Sequence, residues 1–112
     1  MLVKVQMLAF EKDGVVRLVN VPDEEVSIHL RGVDPYWFHN HVLERVFFYG
    51  QNDFQPQNIC SVSVGDVAEG EGKYYLCATQ GWKEITPEWL EQYKLLPRRD
   101  RSWAALKHEA TN

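Results

Sequence analysis

The chain has 112 residues, enough for one domain with its own core, and a domain of this size does not ordinarily need disulfides or bound metal to fold. Its composition is 45% hydrophobic and 25% charged, with five Phe, four Trp and five Tyr, which excludes global disorder. The net charge of −4 is too small to point to nucleic acid or a membrane surface, but it is unevenly placed: residues 1–96 hold 8 basic and 14 acidic side chains, net −6, and residues 97–112 hold 4 and 2, net +2.

In chain order, residues 1–10 alternate, with Val3, Val5 and Met7 on one face and Lys4 and Gln6 on the other, which predicts a half-buried strand. Asp13-Gly14 is a hairpin signal because both positions tolerate positive φ. The return strand covers 15–21 and ends at Pro22. Val26, Ile28 and Leu30 alternate with Ser27, His29 and Arg31, so a third strand is expected there, stopped by Gly32. Asp34-Pro35 opens a helix, since Asp is a good N-cap and Pro suits the first helical position. Phe38, Val42, Leu43, Val46 and Phe47 recur at helical spacing, and Gly50 supplies the stop. A polar loop spans 51–57.

Residues 59–64 read as extended, with Val62 and Val64 opposed to Ser61 and Ser63. Gly65-Asp66 turns the chain, 67–69 is a short strand, Gly70-Glu71-Gly72 a tight hairpin and 73–78 its partner. Residues 82–85 form a further strand. Thr86-Pro87-Glu88 combines a cap, a proline and an early acid, and predicts a second helix with Trp89, Leu90, Tyr93 and Leu96 on its apolar stripe, ended by Pro97. Residues 98–112 are a basic tail or a short helix over 103–109. The fold expected is α+β: antiparallel hairpin and meander units packed on a central aromatic helix, with a C-terminal helix, as one domain over 1–97 followed by the tail.

Ser61-Val62-Ser63-Val64-Gly65-Asp66-Val67, then Tyr74-Tyr75-Leu76, then Gly81-Trp82-Lys83-Glu84-Ile85, resembles the signature stretch of the YodL-like domains. These are small domains carried by bacterial mobile elements and phages, often beside antirestriction genes. The resemblance covers residues 61–85, and Cys77-Ala78-Thr79-Gln80 departs from relatives that more often carry an acidic or hydroxyl residue before an aromatic. It implies a genetic setting and a bacterial cytoplasmic location. The family has no established activity to carry over, so it implies no reaction.

Candidate chemistry is sparse. His39-Asn40-His41 spells a nuclease motif whose residues are normally spread along a ββα-metal fold; here the two histidines are two apart on one helix and point to opposite sides. Cys60 and Cys77 lack the close pairing of a zinc site and read as buried free thiols, although a cysteine-dependent enzyme is a third reading if a histidine lies beside one of them. Gly70-Glu71-Gly72-Lys73 lacks the phosphate-loop spacing and has an acid where phosphate would sit. No metal or cofactor is expected.

Two surfaces remain. The helix carries more aromatics than one stripe can bury, and Trp37, Phe48 and Tyr49 are the candidate partner-binding residues, for another protein or a second copy. Arg98, Arg99 and Arg101 with Trp103 form the alternative, a nucleic-acid contact in which arginines grip phosphate and the indole stacks a base. The leading expectation is a non-enzymatic phage or mobile-element accessory protein that binds a host defence component.

Overall fold

The structure, a computed structural model, describes residues 1–51 and 60–110. Strands β1 (Leu2–Gln6), β2 (Val16–Asn20), β3 (Val67–Gly70), β4 (Lys73–Ala78) and β5 (Gly81–Ile85) form a single antiparallel sheet in the order β2-β1-β3-β4-β5. The two expected β units are therefore one sheet, joined where β1 pairs β3 with Val5 opposite Ala68. The fold is α+β, with helices on both faces.

One face carries Val3, Val5, Val19, Ala68, Tyr75 and Cys77 and is covered by the aromatic helical segment. Asp34 accepts a hydrogen bond from Tyr36 N at 2.8 Å in the turn before that segment, whose own N-cap falls later than expected, at Trp37, with no side-chain cap bond. A π-helical turn, Phe38–Val42, leads into helix α1 (Leu43–Tyr49), and Phe38, Val42, Leu43 and Val46 face the sheet. The Phe38 ring lies so close over Gly70 that a Cβ there would stand 2.2 Å from it, so the site admits only glycine without a shift.

The opposite face is covered at one end by helix α2 (Pro87–Leu95) and helix α3 (Arg98–Ala110), which pack Leu90, Tyr93 and Ala105 on Val67, Leu76 and Ile85. Thr86 caps α2 by accepting from Trp89 N at 3.1 Å, with Pro87 at its first turn. The β3–β4 turn has positive φ at both central residues, Glu71 (53°) and Gly72 (77°), the conformation that matches strand twist in a two-residue hairpin.

Three expectations are corrected. Residues 26–30 are not a strand: 3-10 turns run over Asp23–Glu25 and Ile28–Leu30, and Ser27 is left-handed at φ 51°. The alternation there reflects a single anchor, buried Val26, and the carbonyls of Ser27 and Ile28 accept the local turn bonds. The stretch before β3 joins the ladder only as a bulge: Gly65 N donates to Cys77 O and Cys77 N to Asp66 O, so two residues oppose one, with Gly65 at φ 101°. Ile59 and the polar loop from 52 onward lie outside the described residues. The C-terminal stretch is a helix that starts five residues earlier than expected and belongs to the core through Arg101 and Ala105. No helix among the described residues is long and apolar enough to cross a membrane.

Candidate functional site

The aromatic helix divides its rings between core and surface. Trp37 is only 2% exposed, and its indole N–H donates to Val26 O at 2.8 Å. The Arg31 guanidinium lies over the ring, 5.2 Å from its centroid. Trp37 is thus a core residue and not a contact surface, because the 3-10 turns fold over it as a lid that helical periodicity alone does not reveal. Tyr49 is half-buried and donates its hydroxyl to Glu25, which Arg45 also approaches at 3.4 Å. That bond to Glu25 raises the Tyr49 hydroxyl above its ordinary value. Phe48 is exposed, edge-on to Tyr49 at 5.0 Å, beside exposed Phe47.

The histidines part as their spacing requires. His39 Nε2 donates to the Trp82 carbonyl at 2.8 Å, and His41 lies 3.6 Å from Asp34. Cys77 is buried on β4, and burial pushes its thiol up to about 12. The Cys60 N–H donates to Glu11 at 2.6 Å, and the hydrogen bond from its thiol to that carboxylate also raises it. Both shifts oppose thiolate formation, the reverse of what activates a nucleophile. Among the described residues, no three His, Cys, Asp or Glu side chains gather so as to hold a metal ion.

The C-terminal arginines also part. Arg101 is 2% exposed and donates to Leu8 O and Lys94 O, each at 2.9 Å, and to Asp13 at 3.2 Å. It ties α3 to the β1–β2 connection and so leaves the basic surface that its sequence neighbours suggest. Arg98 donates to Phe10 O at 3.0 Å, while Arg99 and Trp103 stay exposed, one helical turn apart on the outer side of α3.

Sequence patterning draws no attention to one further exposed apolar surface. On the part of the sheet that α2 and α3 leave uncovered, Leu2 (65%) and Leu18 (52%) are exposed beside Val16. Met7 N donates to Val15 O and Val21 N to Met1 O. Alternate residues of an antiparallel strand face the partner, so Val16 and Leu18 turn their backbone groups away from β1, at the edge of the sheet. Next to this edge, between the sheet, the β1–β2 connection and α2–α3, lies a cleft of about 420 Å³ with Lys4, Gln6, Tyr74, Lys94 and Arg101 in its wall. The outward phase of Lys4 and Gln6 on β1 was readable, but Lys94 and Arg101 lie about ninety residues away and reach the cleft only through helix packing.

Asp66, just before β3, is 1% exposed and accepts from Ala9 N at 2.9 Å and Ser63 N at 2.8 Å. Burial pushes its carboxyl up to about 6 against the pull of those N–H groups. Tyr93 donates to Gly65 O at 2.6 Å, which fixes the bulge that aims Asp66 inward.

Among the described residues, fold and surface together define a small α+β domain with an exposed sheet edge at β2 and a polar cleft beside it. Comparison with protein-family models, with curated proteins and with solved structures returns no match.

Proposed function

We propose that the chain is a non-enzymatic accessory protein of a phage or mobile element, acting in the bacterial cytoplasm by binding another protein, a component of host defence. The observation that supports binding is the β2 edge. An edge strand with outward backbone groups and exposed Val16 and Leu18 is a template for strand addition, which natural edges usually block with charge, proline or a covering segment. The partner adds an extended segment there, and main-chain hydrogen bonds supply the affinity while Leu2 and Leu18 supply an apolar contact. The mobile-element setting rests on the YodL-like stretch over 61–85 alone.

The test is capture from a bacterial lysate with the chain and with Leu18→Lys, followed by hydrogen exchange on the purified complex. The expected result is that the lysine lowers capture about tenfold or more and that the Val16 and Leu18 amides become protected on binding. Capture unaffected by Leu18→Lys but lost in Phe48→Ala would move the interface to α1, and protection by the chain itself at high concentration would make the partner a second copy.

The nucleic-acid reading retains one favourable observation, the exposure of Arg99 and Trp103 on a shared side of α3. Salt-sensitive oligonucleotide binding that disappears in Trp103→Ala would replace the protein-binding reading.

A further inference from the structure

The cleft beside the β2 edge holds a charge arrangement that strand addition does not use. Arg101 is fixed inside the fold by the Leu8 and Lys94 carbonyls, and its Nε–H is buried with no acceptor among the described residues. A buried guanidinium with an unspent donor is costly unless an anion meets it. Asp13 meets the guanidinium now, at Nη2 and not at Nε, and its side chain is 80% exposed in the β1–β2 connection. A pair held at 3.2 Å with one partner mostly in water is weak and exchangeable. Asp13 therefore shows which group the site accepts, without filling the cleft.

The rest of the wall narrows the choice. Lys94 adds a second cation and is in no ion pair with a described residue. Lys4 is engaged 3.6 Å from Glu69, which also accepts from Gln6 at 3.1 Å. The wall thus joins the cations of Arg101 and Lys94 with the carboxylate of Glu69, so a dianion such as phosphate meets more repulsion than a monocarboxylate with a short apolar body. Leu8, Val15 and Val16 offer that body an apolar wall. The volume, about 420 Å³, suits a ligand of amino-acid to short-peptide size.

We propose that this cleft is a carboxylate-binding site, with Arg101 and Lys94 holding the anion and Asp13 occupying the position until a ligand displaces it. The same chemistry is offered by a small free acid and by the C-terminus of a peptide. The site stands whether or not β2 takes a partner's strand.

The experiment is an NMR titration of the labelled full chain at constant ionic strength with butyrate, with acetyl-Ala-Ala-Val as the free acid, with its amide, and with inorganic phosphate. Saturable shifts at Gly14, Val15 and Lys94 are expected with a carboxylate and not with the amide. Saturation by butyrate assigns a small acid, and saturation by the peptide acid alone assigns a peptide end. Lys94→Ala should weaken the effective probe about tenfold, whereas Asp13→Ala should tighten it about two- to fivefold by vacating the guanidinium. Both substitutions are on exposed side chains and leave Arg101 in place. No saturation by about 20 mM of any carboxylate, equal shifts from phosphate and carboxylate, or an Asp13→Ala variant that binds no better would overturn the assignment.

Discussion

One face of the sheet meets the helical segment 37–49 mainly through apolar side chains, Val3, Val19, Phe38, Val42 and Val46, with a few polar ties from Trp37, His39 and buried Arg17 beside them. The other meets α2 and α3 at one end, and there apolar contacts at Leu76, Ile85 and Leu90 are joined by polar ties from Arg101 and Tyr93. Apolar packing is non-directional and cooperative, so the first face should fail as a whole. Polar ties are local and directional, so the second should open piece by piece. The open part of the sheet, with Leu2, Leu18 and the cleft, lies on that second face.

The sharpest test of this contrast is Trp37→Ala. Removing a buried indole, with its bond to Val26 O, should cost about 4 kcal/mol, read as a lower urea midpoint at unchanged slope. Arg101→Ala comes next, at about 3 kcal/mol, because the Leu8 and Lys94 carbonyls lose their donor. Its signature should differ: hydrogen exchange across α3 should accelerate before global unfolding, whereas Trp37→Ala should accelerate exchange throughout. Equal exchange profiles in the two variants would erase the distinction between the faces.

Asp66 tests the polar side by pH. Its carboxyl ordinarily titrates at 3.8 and stands at about 6 in the fold. Between those values the folded chain keeps a proton that the unfolded chain has released, so stability should rise as pH falls from about 6 to about 4, by up to about 3 kcal/mol. Asp66→Asn cannot titrate and should lack this part of the slope in a series of melts. The smallest effect is expected at the open surface: Leu18→Lys should change stability by less than about 0.5 kcal/mol, since Leu18 is half in water already.

Local chemistry was legible wherever a few adjacent residues decide the conformation. Alternation located β1, the Asp13-Gly14 turn and Pro22 bracketed β2, the Thr86-Pro87 pair located the start of α2, and Gly70-Glu71-Gly72 located the β3–β4 hairpin. It misled where a pattern was too short to identify its cause. Five alternating residues at 26–30 look like a strand, yet with no ladder partner they close into 3-10 turns around one buried valine. In the candidate site, Phe48 is exposed as its place off the main stripe suggests, while Trp37, equally off the stripe, is sealed by those turns.

By itself, then, the sequence determined the α+β class, most elements and their caps and turns, because propensity, periodicity and capping act within one or two turns of chain. Only the tertiary structure decided that the two β units share one sheet, that Arg101 turns inward while Arg99 stays out, and that Lys4, Asp13, Lys94 and Arg101 surround one cleft. Those outcomes depend on contacts between residues more than sixty positions apart, whose energies come from burial and hydrogen-bond satisfaction in the assembled core and leave no periodic trace along the chain.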